Sequence, residues 1–264
     1  MIIMKTKDKL LVAKIGGNII ENNEALDSFL QDFSKVKGPK ILIHGGGKSA
    51  TKLASKLGVK TEMIDGRRIT SAENLDIVVM TYAGLLNKTI VSGLQKYDCN
   101  ALGLTGADAN VIVANKRPVQ FIDYGYVGDV TTVNKDTLKG FIDLGITPVF
   151  CAVTHDTNGQ LFNTNADTIA SEIASAMSTD YEVALFYCFE LKGVLENIED
   201  KDSVIEHIDL EKYSELRDQD VIADGMLPKL KNCFDALHKN VNKVHIANAD
   251  FIKDNSIKHT TLSL

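Results

Sequence analysis

Lys14-Ile15-Gly16-Gly17 and His44-Gly45-Gly46-Gly47 each close a short apolar run that fits a β-strand. Beyond the strand ends of an open α/β sheet, the N–H groups of a glycine turn can approach phosphate oxygens closely. One such cluster is also what any tight strand-to-helix turn needs. Two in equivalent positions, one led by a lysine, point to a phosphate-bearing ligand. Gly47-Lys48-Ser49 resembles the end of a P-loop, but that motif needs a glycine where Leu42 stands. No G-x-G-x-x-G follows a strand, which disfavours a dinucleotide-dependent redox enzyme.

Three further segments hold groups that could meet a substrate. Gly66-Arg67-Arg68-Ile69-Thr70 sets two guanidiniums before a helix start. They are either a solvated basic pair or a bidentate carboxylate clamp. Asn163-Thr164-Asn165-Ala166-Asp167 provides a helix N-cap and more polar groups than one cap uses. Asp224-Gly225-Met226-Leu227-Pro228-Lys229 opens an amphipathic helix, with proline suited to the first turn. Taken alone, Lys229 is a surface lysine. His44, between a buried strand and a glycine turn, reads as a hydrogen-bonded structural residue rather than a general base. His155, His207, His238, His245 and His259 show no metal-ligand spacing. No Ser-His-Asp or Cys-His arrangement is recognisable.

The elements that must position these groups alternate. Strands are expected at Leu10 to Ile15, Ile41 to Ile43, Ala101 to Leu104, Pro148 to Val153, Val183 to Tyr187 and Val244 to Ile246. Between them run one-faced helical stripes. Leu26, Phe29, Leu30 and Phe33 form one, closed by Gly38. Ala50, Leu53, Ala54 and Leu57 form another, with Gly58 as its cap. Thr70 with Glu73 fits a capping box for a helix running through Leu86 that is apolar on much of its circumference. Ala166 to Ala174 and Met226 to Leu237 mark two more. The alternation predicts an α/β fold with a mainly parallel central sheet sandwiched by helices in three layers. No linker, repeat or low-complexity tract divides the 264 residues, so a single domain with two lobes is expected.

Composition narrows the partners. Net charge is −6, from 29 Lys and Arg against 35 Asp and Glu, which argues against a general grip on nucleic acid. Cys99, Cys151, Cys188 and Cys233 form no C-x-x-C pair, which fits a reducing compartment better than a disulfide framework. No unbroken window of eighteen apolar residues occurs, and Leu10 to Ala13 is too short for a signal peptide core. A soluble, cytoplasmic protein is expected, with no membrane partner.

Together these motifs, in their order and spacing, resemble the amino-acid kinase family over nearly the whole chain, from Lys14 to about Ile246. Within it they resemble the branch that phosphorylates N-acylated glutamate. Gly84, Asn87-Lys88 and Val127-Gly128 fit the same branch. The resemblance implies the carbamate-kinase-like fold, with an N-terminal lobe of about residues 1–178 for the acylglutamate and a C-terminal lobe of about 179–264 for ATP. It implies that Gly46 and Gly47 offer N–H groups to the substrate and that Arg68 and Asn163 hold its carboxylates. Lys14 and Lys229 would contact the moving phosphoryl group, and Asp167 would hold both lysines. Gly16, Gly17, Glu190, Gly193, Val221, Ile222 and Ala223 would line the nucleotide. Mg²⁺ would arrive on the nucleotide, with no metal ligands from the protein. Where the family has a Ser/Thr-Asp pair, this chain has Phe189-Glu190, and Val153-Thr154-His155 replaces a segment that often reads Ile-Gly.

The chemistry suits these residue types. A glutamate side chain, with a reference pKa of ~4.3, is already an anion near neutral pH. It needs no general base, only positioning and stabilisation of phosphoryl charge. The leading expectation is ATP-dependent phosphorylation of N-acetyl-L-glutamate in arginine biosynthesis. A larger acyl group such as succinyl, or a non-catalytic ligand-binding member, are the alternatives. The helix from Ser71 onward suits a two-fold interface, so a homodimer is expected. By the same resemblance, arginine-inhibited members join dimers into rings through an additional N-terminal helix, and Met1 to Asp8, at most ~12 Å long as a helix, is expected to be too short to serve as one.

Overall fold

A computed structural model describes residues 7–64, 66–219, 221–222 and 226–264. Strands β1 (Lys9–Ile15), β2 (Lys40–His44), β3 (Glu62–Ile64), β4 (Arg67–Ile69), β5 (Ala101–Leu104), β6 (Ile112–Lys116) and β7 (Gly128–Val133) lie in the first half of the chain. They are followed by β8 (Thr147–Cys151), β9 (Val153–His155), β10 (Leu161–Asn163), β11 (Glu182–Cys188), β12 (His207–Ile208), β13 (Lys243–Ala247) and β14 (Thr260–Leu262). The α-helices are α1 (Gly17–Glu21), α2 (Asn23–Lys35), α3 (Gly47–Lys56), α4 (Ala72–Val79), α5 (Asn87–Lys96) and α6 (Lys135–Asp143). Then come α7 (Ala166–Met177), α8 (Leu210–Asp218), α9 (Leu227–His238) and α10 (Asp250–Lys253).

The central sheet has eight strands in the order β12-β14-β13-β11-β1-β2-β8-β5, and only the β13–β14 pairing is antiparallel. All residues of β2 and of β8 are buried. Since successive side chains point to opposite faces, both faces are covered, as a parallel sheet requires. Helix α2 packs against α1, α5 and α10, while α7 packs against α6 and α9 and lies over β1, β2 and β11. The expected mainly parallel, helix-covered sheet is therefore present. Two additions were not expected: a four-stranded sheet in the order β10-β9-β6-β7, and the β3–β4 hairpin.

Local corrections have physical causes. Gly38 does not close α2. That helix ends at Lys35, and the buried Lys40 gathers carbonyls around its end, with Nζ donating to Phe33 O, Ser34 O and Val36 O at 2.9, 2.8 and 2.8 Å. Gly58, at φ 72°, does cap α3: its N–H and that of Val59 donate to Ser55 O and Ala54 O. The cap of α4 is Ser71 rather than Thr70, because Ser71 Oγ accepts from Asn74 N–H at 3.2 Å. Thr70 is instead buried and bridged to Gly125. A short helix, α10, follows the one that opens at Leu227.

Helices α4 and α5 are joined without a break by a π-helical segment, Met80–Leu86. By length and hydropathy the continuous helix Ala72–Lys96 is long and apolar enough to cross a bilayer, although polar residues interrupt its apolar run. Its inward face, including Val78, Tyr82, Ile90 and Leu94, belongs to the protein core. Residues 1–6 of the segment expected to be too short for an interlocking helix lie outside the described residues.

Lys40 gives a direct test of the fold. Lys40→Met removes a charged donor from three carbonyls and is expected to cost about 2 kcal/mol. For a chain of this size that is a fall in Tm of roughly 4–8 °C by circular dichroism. An unchanged Tm would show that water replaces the ammonium at no cost.

Candidate active site

Four parallel strands end in line. Ile15 of β1 pairs with His44 of β2 and Cys188 of β11, and His44 pairs with Cys151 of β8. Gly16-Gly17, Gly45-Gly46-Gly47, Ala152 and Phe189 therefore emerge along one edge, the carboxyl edge where open α/β sheets bind ligands. Gly16 precedes α1 and Gly46 precedes α3, and no side chain caps either helix. The first N–H groups of α3 are thus free to meet an anion.

Lys14 projects from the last turn of the pleat in β1, and its Nζ lies 2.8 Å from Asp167 Oδ1. Asp167 sits in the first turn of α7, which Asn165 caps by accepting from Asp167 N–H and Thr168 N–H at 2.7 and 3.1 Å. Asp167 Oδ1 is buried without a hydrogen bond of good geometry, so it retains accepting capacity. Tyr187, paired with Lys14 across β1 and β11, donates its hydroxyl to Asp167 O at 3.0 Å. Lys229, in the first turn of α9, is partly buried, and burial pushes its pKa below the ordinary lysine value while Asp167 pulls it up. The structure thus gathers Lys14, Asp167 and Lys229 from three distant segments. Ala223, Asp224 and Gly225 lie outside the described residues.

Arg68 is 7% exposed. Its Nη1 donates to Thr61 Oγ1 at 3.1 Å, and Nη2 donates to Gly47 O and Thr51 Oγ1 at 2.9 and 2.7 Å. Among the described residues no carboxylate pairs with it, and a buried cation without an anion is costly. Gly46 is pressed by Tyr82 and Leu86 of the π segment: a Cβ there would meet the Tyr82 ring at 2.8 Å and collide with Leu86 Cδ1. Asn163, at the end of β10, donates Nδ2 to Thr70 Oγ1 at 3.1 Å. A Cβ built on Gly45 would touch Ala166 Cβ at 3.8 Å, so this glycine turn abuts the helix that carries Asp167.

The chain's similarity follows the same boundaries. The amino acid kinase family model matches residues 9–248. The chain belongs to the amino acid kinase family. Among its relatives, the acetylglutamate kinase of Cytophaga hutchinsonii is 55% identical over 243 residues, which is 92% of this chain and 92% of that protein. The acetylglutamate kinase of Phocaeicola vulgatus is 51% identical, covering 95% of this chain and 97% of its own length. The crystal structure of smu.665 from Streptococcus mutans UA159 superposes with a TM-score of 0.77 at 28% identity, covering 96% of this chain and 98% of that one.

In this amino acid kinase the remaining expected residues are less gathered. Glu190 is exposed, and its charge acts on Lys229. Gly193 is buried where a Cβ would strike Thr260 Oγ1 and Val204 Cγ1 at 2.6 and 2.7 Å, which gives it a packing reason. Val221 N–H donates to Leu216 O after α8, and Ile222 is buried. Sequence reasoning missed Thr51 and Thr61, which hold Arg68, and Tyr82, which is set by the π segment. It also missed Lys48, whose Nζ reaches Asn18 Oδ1 and ties one glycine turn to the other. No spacing rule announces these contacts.

His44 is fully buried, and burial pushes its pKa down to about 4. Asn87 Nδ2 donates to Nε2 at 3.1 Å, so Nδ1–H donates to Gly45 O at 2.8 Å. The neutral ring fixes the glycine turn, as a structural histidine would. The unfolded chain takes up this proton near pH 6.5 and the folded protein only near 4, so stability falls as pH drops through that window. The loss is expected to reach about 2 kcal/mol by pH 5. His44→Gln should reduce the drop in urea midpoint between pH 7 and 5. Identical drops in variant and wild type would refute the assignment.

Proposed function

We propose that the chain is an acetylglutamate kinase, transferring the γ-phosphoryl group of ATP to the side-chain carboxylate of N-acetyl-L-glutamate to give N-acetylglutamyl 5-phosphate in arginine biosynthesis. The observation that carries this reading is Arg68, a buried guanidinium beside the Gly46-Gly47 turn with no carboxylate partner among the described residues. A substrate carboxylate completes it, bidentately if both nitrogens turn to it. Family membership and the two close relatives named above support the rest.

In this reading Arg68 and Asn163 hold the acceptor, and the N–H groups of Gly46 and Gly47 face its reacting end. The acceptor carboxylate is ionised and attacks the γ-phosphorus. A new O–P bond forms while the bond to the β,γ-bridging oxygen breaks, and that electron pair leaves with ADP. Lys14 and Lys229 offset charge on the moving group, and Asp167 fixes Lys14 and attracts Lys229. Glu190, Gly193, Val221, Ile222 and Ala223, in the C-terminal lobe of about residues 179–264, are assigned to the nucleotide, together with Gly16 and Gly17, which reach it from the other lobe. The acceptor side is the lobe of about 1–178. Among the described residues no three His, Cys, Asp or Glu side chains gather into a metal-holding group. In this reading Mg²⁺ would come with the nucleotide, where it would screen phosphate charge. The four cysteines are buried and free, consistent with a soluble cytoplasmic enzyme.

Acetyl- and succinylglutamate compared in one acyl-phosphate assay test the reading. Acetylglutamate is expected to be the better acceptor, and Lys229→Ala should lower kcat by ~10²–10³ with little change in substrate binding. No acyl phosphate from either acceptor, or a Lys229→Ala enzyme of normal kcat, would overturn it.

The reading includes a homodimer. Met80 and Leu85 are 52% and 65% exposed on the outer side of the π segment, and Leu102 is 37% exposed on β5, the edge strand of the central sheet. A two-fold contact covers these residues together. Light scattering is expected to give twice the chain mass, and Leu85→Glu to give the monomer. A monomeric wild type would refute this arrangement.

A further inference from the structure

The ring of Phe189 faces both lysines that flank Asp167. Its centroid lies 4.2 Å from Lys229 Nζ and 5.6 Å from Lys14 Nζ. Both distances fall within the ~6 Å over which a cation is drawn to an aromatic face. The ring is itself held. Phe189 N–H donates to Ala247 O at 2.8 Å, so the backbone continues β11 beside β13 for one more residue. Tyr187, two residues back on the same face, stacks on it with centroids 6.2 Å apart and planes 11° apart.

Lys229 needs such a partner. Lys14 has an ion pair with Asp167, whereas Lys229 forms no ion pair within 4.0 Å among the described residues. We propose that Phe189 is a positioning residue for phosphoryl transfer, its ring face holding the Lys229 ammonium, and more weakly that of Lys14, in place before the substrates bind. The proposal rests on the reading of these lysines as the phosphoryl-contacting pair. A second carboxylate would hold Lys229 more firmly, but it would neutralise the charge that an incoming phosphate needs and repel that phosphate. An aromatic face attracts the ammonium without a net charge, leaving N–H donors and the full positive charge for the ligand. Burial lowers the pKa of Lys229; Asp167, Glu190 and Cys233 raise it and Lys14 lowers it. The ring adds to the side that keeps it protonated.

The test replaces Phe189 with 4-fluoro- and 3,4,5-trifluorophenylalanine, which keep the ring's shape and drain charge from its face, and with leucine. Over this series kcat is expected to fall stepwise by about threefold to thirtyfold, the range a cation–aromatic contact spans. KM for ATP and for the acceptor should stay nearly constant. The alkaline limb of the kcat profile should move to lower pH by about half a unit to one unit. In the substrate-free protein, the Lys229 Hε resonance should be shifted upfield by the ring current and return toward its ordinary position in Phe189→Leu. A flat kcat series overturns the proposal. So does a raised KM for ATP at constant kcat, which marks the ring as an adenine platform, or a Lys229 resonance without ring-current shift. A wild type that phosphorylates neither acylglutamate defeats the functional reading instead, and the Lys229 resonance then still decides whether the ring holds the lysine.

Discussion

Two ammonium groups repel each other, and this chain brings Lys14 and Lys229 to one end of its sheet around the carboxylate of Asp167. The rest of the site is arranged to make that tolerable. Lys14 arrives on β1 with its backbone locked between β2 and β11. Asp167 arrives on α7, whose first turn is fixed by Asn165 and by the Tyr187 hydroxyl. Lys229 arrives on α9, which packs on α7. Because three separate elements carry the three groups, their spacing depends on the packing of α7 over β1 and β11. That packing is supplied by Ile169, Ala170, Ile173 and Ala174, all fully buried. The apolar face of one helix thus sets an electrostatic geometry at its polar end.

Arg68 poses the same problem in another form. Its guanidinium is buried but neutralised by nothing described in the protein, and oxygens of Thr51, Thr61 and Gly47 accept from three of its five N–H groups without cancelling its charge. The Gly46 turn next to it is pressed by Tyr82 and Leu86 of the π segment, which leaves no room for a side chain there. Positive charge is concentrated at this end of the sheet, within a chain that is acidic as a whole.

Much of this was legible in the sequence. The parallel strands are short runs rich in Leu, Ile and Val, and two of them, β1 and β2, run straight into glycine turns at the carboxyl edge of the sheet. The lysines, Asp167 and Arg68 were legible as motifs by resemblance, although each alone has an ordinary structural explanation. The second sheet was not legible, because β7, β9 and β10 are short or polar and gain stability only from one another. Neither was the π segment, since Met80–Leu86 has the residues of any apolar helix. Thr70 looked like a cap because its spacing to Glu73 fits. Ser71 won because Thr70 is drawn into the bridge with Gly125. Phe189 stood out as a change of residue, but its reach to two lysines exists only once β1, β11 and α9 are assembled.

The place of β1 in the sheet has a consequence for synthesis. One neighbour, β2, follows it within about thirty residues, but the other, β11, begins about 170 residues later. At ribosomal rates of roughly 5–20 residues per second, one edge of β1 waits on the order of ten seconds or longer for its partner. An open strand edge of Leu, Val and Ile is a template for pairing with the wrong chain. Lys9 and Lys14 bracket that run, and charges at the ends of an apolar strand oppose such pairing. Lys14 thus guards the nascent strand before it ever meets Asp167.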